Sequence, residues 1–533
     1  MDLSTEIRPA ITGFGYLTLG IVERRLEVTS WSRSGDTITL QLTGPGTHSL
    51  VPDSVLLEGP DGTWPAGGIE RGDSGTVQAT FSLRHKRWGR KPVLKPAGRY
   101  RLKITESGAT DIRMVETGPA LAGAAAGCTH PRLRIRTTAL STDDPFQLRI
   151  ESPLTEFERG AYNQQRLIED YRSSTDPLVD AVFFETFGGT SATDSGLAIC
   201  EALAELKPGL RRYWSVADPS VAVPAGTVPL HRYSAEWYRA LGTSKYLVNN
   251  NTFPVFFRKK TGQIYLQTWH GTPLKRIGFD TPVQRLTPSY LRTLAREPSE
   301  WDALLAQSPA AAQLLAGAFR YQGQVPVLGY PRNDALTAET AAAERKRVRE
   351  VLEIPDEQTV VLYAPTWRDT ERTRGDRHAV VNYLNAGLAL AALGPNYTIL
   401  FRGHHNVAGQ RSAAGINGLA DVTDYPQISD LCLAADLLVT DYSSIMFDYA
   451  VTGKPMFFLV PDLEEYRDST RGFYFDLQEH VPGPLAHSAA ELFEQILSYQ
   501  AEEWRPAYDA FVSQFAPYDD GSAARRVIEQ SWN

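Results

Sequence analysis

Over residues 1–120 the apolar and polar positions alternate in short runs that turn residues interrupt. Tyr16–Ile21, Leu26–Trp31, Thr37–Thr43, Ser54–Glu58, Thr76–Leu83 and Tyr100–Ile104 are rich in Val, Ile, Leu, Thr and Tyr. Gly35-Asp36, Gly44-Pro45-Gly46, Gly59-Pro60-Asp61-Gly62 and Pro96-Ala97-Gly98 separate them. Short strands at this spacing predict a small β-sandwich over 1–120. The small residues of Gly118–Gly127 point to a linker, expected over 121–155.

From about Glu156 the pattern changes. Continuous apolar runs read as buried strands and alternate with helix-like segments: Ala181–Phe184, Tyr246–Val248, Ile264–Thr268, Ala303–Gln307 and Val325–Leu328, then Val360–Ala364, Thr398–Arg402, Leu437–Thr440 and Met456–Leu459. Such alternation implies parallel sheets covered by helices on both faces. Two series joined near Ala341–Arg349 predict an α/β architecture. Two Rossmann-like lobes, 156–343 and 344–533, are expected to flank a cleft.

Composition narrows the function classes. Apolar residues make up 42% and charged residues 22%, the balance of a folded globular chain. A net charge of −8 speaks against a general nucleic-acid binder. Cys128, Cys200 and Cys432 are far apart, so neither a disulfide framework nor a zinc site is expected, and a reducing compartment fits. Neither a signal peptide nor a membrane span is expected, since no apolar run follows a basic start and no charge-free apolar stretch is long enough to cross a bilayer.

In open α/β sheets, ligands gather beyond the carboxyl ends of the strands, so the chemistry is sought there. Ile264–Thr268 leads into Trp269-His270-Gly271-Thr272-Pro273-Leu274-Lys275. A histidine on such a turn is either a general base near neutral pH or a group that hydrogen-bonds the turn itself. Leu437–Thr440 leads into Asp441-Tyr442-Ser443-Ser444 and a helical run stopped at Gly453, which reads as an ordinary serine cap or as a phosphate site. Arg402-Gly403-His404-His405 places cations at another strand end, suited to a diphosphate or simply solvated. Pro365-Thr366-Trp367-Arg368 follows Val360–Ala364, and Gly329-Tyr330-Pro331-Arg332-Asn333-Asp334 follows Val325–Leu328. There is no GxGxxG, GxxxxGK[ST], GxSxG or HExxH, so the usual dinucleotide, P-loop, nucleophile-elbow and zinc signatures are missing.

Taken in order, Trp269–Lys275, Gly329–Asp334, Tyr363–Arg368, Arg402–His404, Thr440–Tyr449 and Arg471-Gly472-Phe473-Tyr474 resemble the CDP-glycerol glycerophosphotransferases, the teichoic acid primases and polymerases. Phe184–Phe187 with Asp194-Ser195 is similar to the family's first strand and loop. The resemblance covers Glu156 to the C-terminus and implies a GT-B-like pair of lobes, the first facing the acceptor and the second holding CDP-glycerol. It implies that His270 is the general base, that His404 lies near the donor diphosphate, and that Ser443 and Ser444 are the serine pair of the phosphate site. Arg402, His405, Thr366, Arg368, Asp441, Arg332 and Arg471 complete the expected donor side, and Gly271, Thr272 and Lys275 the acceptor side. The expected reaction moves glycerol phosphate onto a lipid-linked polyol-phosphate acceptor, with CDP-glycerol as substrate and neither metal nor cofactor. It would place the protein peripherally on the cytoplasmic face of the membrane. CDP-ribitol as donor, a nucleotide-sugar glycosyltransferase and a non-catalytic polymer binder remain as alternatives.

The resemblance leaves out one feature. Arg84, His85, Lys86, Arg87, Arg90, Lys91, Lys95, Arg99, Arg101 and Lys103 crowd a single window. The window 84–103 is either a contact for anionic lipid head groups or a phosphate-rich polymer, or a solvated hairpin.

Overall fold

The computed structural model describes residues 5–532 apart from 12–15, 24, 73–74, 106–111, 122–126, 138–143, 283–285, 367–371, 374–376, 379–382, 404–417 and 471. The chain divides into two compact units. One comprises residues 1–167 with 216–222 and 231–236, and the other comprises the rest.

The first unit is built on two mostly antiparallel sheets. One has the order Glu116–Thr117, Glu27–Ser34, Thr37–Thr43, Val77–Ser82, Gly68–Arg71. The other runs Gly127–His130, Leu133–Thr137, Gln147–Glu151, Gly98–Thr105, Val55–Gly59, Gly62–Pro65, with Ile112–Met114 added alongside Gly98–Thr105. Alternation decides the faces. Ile38, Leu40, Leu42 and Phe81 from one sheet and Leu57, Tyr100, Leu102, Ile135, Leu148 and Ile150 from the other are fully buried in one shared core. Each such side chain contributes roughly 1.5–3 kcal/mol on burial.

The stretch expected to be a linker is corrected here. Residues 127–151 supply three strands of the larger sheet, and the unit continues to Leu167. Leu133-Arg134-Ile135-Arg136 and Leu148-Arg149-Ile150-Glu151 alternate aliphatic-in and charged-out, which is a strand pattern. The preceding small residues had masked it.

The second unit contains two six-stranded sheets. The first has the order Val228–His231, Arg211–Val216, Val179–Glu185, Ser244–Asn249, Ile264–Gln267, Ala303–Leu304. The second has the order Leu419–Asp421, Tyr397–Phe401, Thr359–Ala364, Leu437–Thr440, Met456–Leu459, Leu485–Ala486, parallel throughout. In chain order each sheet reads 3-2-1-4-5-6, the doubly wound order. The switch point falls between Val179–Glu185 and Ser244–Asn249 in one sheet, and between Thr359–Ala364 and Leu437–Thr440 in the other. Val325–Leu328, expected as a strand, makes only an isolated bridge at Val327. Arg211–Val216, Val228–His231, Leu419–Asp421 and Leu485–Ala486 were not anticipated, because at two to six residues a strand carries little periodicity to read. Among the described residues no helix is long and apolar enough to cross a membrane.

Candidate functional site

The two switch points are bridged by the same device. In the first sheet, Phe187 N–H donates to Asn250 Oδ1 at 2.8 Å. In the second, Thr366 N–H donates to Asp441 Oδ1 at 2.8 Å. In both, the acceptor is the first residue after the fourth strand and the donor is the second after the first strand. Asn250 and Asp441 are buried, so each bond forms away from water, where losing a partner costs most.

Asn250 also sets the histidine. Its backbone carbonyl accepts from His270 Nδ1 at 2.7 Å. A carbonyl can only accept, so Nδ1 carries the proton and Nε2 keeps its lone pair. The imidazole stacks on Trp269 with ring centroids 4.1 Å apart and lies 5.9 Å from Phe187. Trp269 holds φ +51°, a left-handed conformation that non-glycine residues adopt only when the surroundings enforce it. Burial lowers the His270 pKa below the ordinary histidine value, while the Asn250 hydrogen bond and Asp194 work the other way. The ring is therefore neutral near pH 7.

Gly271 explains how closely the histidine turn approaches the second sheet. A Cβ there would sit 3.0 Å from Ser444 Oγ and 3.4 Å from Arg332 Nη2, at φ +150°, so any side chain would push the loops apart. Ser443 and Ser444 precede a five-residue helix, Ile445–Tyr449. Ser443 Oγ accepts from Ile445 N at 3.5 Å, and Ser444, at the N-cap, makes no side-chain cap bond. With so short a helix, the hydroxyls matter more here than a macrodipole.

His270, Gly271, Thr272, Lys275, Thr366, Ser443 and Ser444 meet around one cavity of about 260 Å³. Within it, Thr272 is spoken for: its hydroxyl donates to Gln307 Oε1 at 2.7 Å and is fully buried. Gln307 Nε2 in turn donates to Asp519 Oδ2 at 2.7 Å and to the Phe447 carbonyl at 3.2 Å. Burial raises the Asp519 pKa to about 7. Lys275 forms an antiparallel bridge with Phe473. Beside it, Arg276 N donates to Gly472 O at 3.0 Å and Tyr474 N to Leu274 O at 2.9 Å. This backbone strap joins the histidine turn to the Gly472-Phe473-Tyr474 segment, and the Tyr474 hydroxyl adds an acceptor for Ile277 N at 3.2 Å.

Three expected donor contacts are committed elsewhere. Arg332 grips Asp448 through Nε at 3.0 Å and Nη2 at 2.9 Å, and reaches Asp194 through Nη1 at 3.1 Å. Burial opposes its charge, but Asp448 and Asp194 outweigh that and hold the guanidinium protonated. Arg332 is thus clamped between two carboxylates from distant parts of the chain. The Arg402 guanidinium donates to the carbonyls of Val422 and Tyr425 and braces the turn after its own sheet edge. Asp441 accepts the backbone N–H groups of Thr366 and Tyr442. Arg368, His404, His405 and Arg471 lie outside the described residues. Asn250, Gln307 and Asp519 were missed. The polar run Asn249-Asn250-Asn251 after an apolar strand was a signal for the first; the other two are brought in by tertiary contacts.

Two doubly wound sheets, with a neutral histidine and a serine pair facing one cavity at their strand ends, define a ligand-binding α/β architecture. The chain belongs to the CDP-glycerol:poly(glycerophosphate) glycerophosphotransferase family, whose model matches residues 172–533. It is 34% identical over 376 residues to a teichoic acid poly(glycerol phosphate) polymerase of Staphylococcus epidermidis, covering 68% of this chain and 52% of that protein. It is also 34% identical over 367 residues to a teichoic acid glycerol-phosphate transferase of Staphylococcus aureus, covering 66% and 93%. A teichoic acid ribitol-phosphate primase of Bacillus spizizenii matches less, at 28% over 298 residues, covering 53% and 73%. Among solved structures, a histidine-to-asparagine variant of the wall teichoic acid polymerase TagF soaked with CDPG has a TM-score of 0.63 at 31% identity, covering 70% of this chain and 98% of that one. The chain spans about half the length of the curated polymerases it matches. The matched region leaves out most of the first unit.

Proposed function

We propose that the protein transfers glycerol phosphate from CDP-glycerol to a hydroxyl of a polyol-phosphate acceptor and releases CMP. The acceptor is taken to be lipid-linked and of teichoic-acid or capsular type, which would place the work on the cytoplasmic face of the membrane. The observation that carries the reading is His270. Its Nδ1 is fixed on the Asn250 carbonyl, which leaves Nε2 as a base beside a cavity that Ser443 and Ser444 also line.

In this mechanism the acceptor hydroxyl gives its proton to His270 Nε2 as its oxygen attacks the β-phosphorus of CDP-glycerol. The new P–O bond forms as the bond to CMP breaks, and a phosphodiester remains. Transfer of this kind depends mostly on positioning and on charge stabilisation. Ser443 and Ser444 supply hydroxyl donors, and His404 is assigned to the diphosphate on the family resemblance. Glycerol is favoured over ribitol by the stronger match to glycerol-phosphate relatives.

The test is CMP release from CDP-glycerol and from CDP-ribitol with a short glycerol-phosphate acceptor, for wild type and His270→Ala. Acceptor-dependent CMP from CDP-glycerol, lost in the variant, is the expected result. Release from CDP-ribitol alone would move the assignment to that donor. A folded wild type releasing CMP from neither would overturn it.

A further inference from the structure

The basic window 84–103 is only partly free. Arg84 pairs with Asp36, Lys95 with Asp61 at 2.8 Å and Lys103 with Glu58 at 2.7 Å, so much of the charge that stood out in the sequence is neutralised within the fold. Strand register joins two arginines of this window to others in one cationic surface. In the larger sheet of the first unit, Arg99 lies directly opposite Arg149, and Arg149 directly opposite Arg136. Two residues along the same strands, on the same face, stand Arg101 and Arg134. Leu148, Ile150 and Ile135, at the intervening positions, point into the core. The arginines therefore share the outward face.

Like charges directly opposite one another across strands are destabilising. Glu151 offsets part of this: its carboxylate takes Arg136 at 2.9 Å, Arg149 at 3.0 Å and Arg159 at 2.9 Å. Three cations still share one carboxylate. Arg99 and Arg101 are exposed, and among the described residues Arg99, Arg101 and Arg134 have no carboxylate within ion-pair distance. The unit thus carries a row of guanidinium groups only partly offset by Glu151, on a chain whose net charge is −8.

We propose that this sheet face binds a linear phosphodiester polyanion, namely the glycerol-phosphate polymer that serves as acceptor and product. The polymer's identity rests on the function proposed above, while the charge row does not. Neighbouring strands are about 4.8 Å apart, so Arg136, Arg149 and Arg99 form a row roughly 10 Å long, which suits successive phosphates of an extended chain. The guanidinium fork matches phosphate oxygens bidentately. A membrane is the poorer fit. Outward neighbours of the row are polar or acidic, Gln147 and Glu58 flanking Arg101 and Thr129 and Glu151 flanking Arg134. The exposed Phe157 lies between Glu156 and Glu158, whose charge would repel anionic lipid.

The experiment is binding of fluorescent glycerol-phosphate oligomers, short and long, to the full chain by anisotropy across a salt series. Phosphatidylglycerol vesicles and polyglutamate of matched charge are the comparison ligands. Wild type is expected to prefer the long oligomer, with affinity falling steeply as salt rises through counterion release. The triple variant R99Q/R101Q/R149Q is expected to lose at least about tenfold in affinity, the order of one charge-assisted contact. It should keep its melting temperature and its CMP release with a short acceptor, while KM rises for a long one. Unchanged oligomer binding in the variant, equal binding of polyglutamate, or binding of vesicles but not of oligomer would each overturn the proposal. Because binding is read without turnover, a wild type that binds oligomer but releases no CMP would instead count against the catalytic reading.

Discussion

The two switch points of the second unit share a bracket but not its chemistry. Asn250 closes one and Asp441 the other, each accepting a backbone N–H at 2.8 Å. At the first, the amide is neutral and the adjacent main-chain carbonyl orients His270. At the second, a carboxylate secures two backbone N–H groups, and Ser443 and Ser444 follow at the cavity. The difference has a physical reason. A second carboxylate beside His270 would add to the pull of Asp194 and favour imidazolium. Beside backbone donors a carboxylate is satisfied by two charge-assisted hydrogen bonds. One side of the site locks a side chain into a single tautomer; the other locks only backbone and leaves hydroxyls for a ligand.

The largest break in this comparison is to remove what the first side holds. His270→Ala should lower acceptor-dependent CMP release by about 100- to 10,000-fold, the usual worth of a positioned base, with the circular-dichroism spectrum unchanged. Next is the clamp behind both sides. Arg332→Ala leaves Asp194 and Asp448 buried without a counter-charge and should cost about 3–5 kcal/mol of stability, read by denaturant unfolding. Ser443→Ala and Ser444→Ala should each raise KM for the donor by about tenfold, as expected for one hydrogen bond to a charged group, with little loss of kcat at saturation.

Exchanging the brackets sharpens the contrast. In wild type the His270 pKa lies below the ordinary histidine value, so kcat/KM should hold through neutrality and fall only as pH drops through that lowered value. Asn250→Asp places a carboxylate nearby and should move this acid limb upward by about one pH unit. Asp441→Asn should leave the limb where it is. A smaller effect concerns stability. Burial raises Glu297 and Asp519 to about 7, above their unfolded values. Their contribution is full below the unfolded values of about 4, is lost progressively as pH rises toward 7, and changes little above that. The melting temperature should therefore fall as pH rises from 5 to 7 and level off above, and Glu297→Gln should flatten that slope.

Much of the site was legible because strand ends are legible. His270, Gly271, Ser443 and Ser444 each follow an apolar run, and the structure gathers them around one cavity. What position could not reveal was the direction of each polar group. Arg332 and Arg402 have the charge a diphosphate wants, yet one is gripped by two carboxylates and the other by carbonyls. Those partners come from distant parts of the chain. Thr272 likewise sits in the right turn but donates inward to Gln307. In the first unit, sequence proximity made 84–103 conspicuous, whereas the arginine row depends on register between strands Gly98–Thr105, Leu133–Thr137 and Gln147–Glu151. Short strands with arginine at alternate positions look like linker until they are paired.

The backbone strap between Leu274–Arg276 and Gly472–Tyr474 bears on how this protein can be taken apart. A break in the chain near Ala341 would separate the two sheets covalently but would leave each half with one strand of that ribbon and an unmatched edge. Two fragments made this way should be poor proteins alone and good partners when co-expressed. A split at this point would thus serve as a genetic complementation pair whose reassembly restores the histidine turn along with the fold.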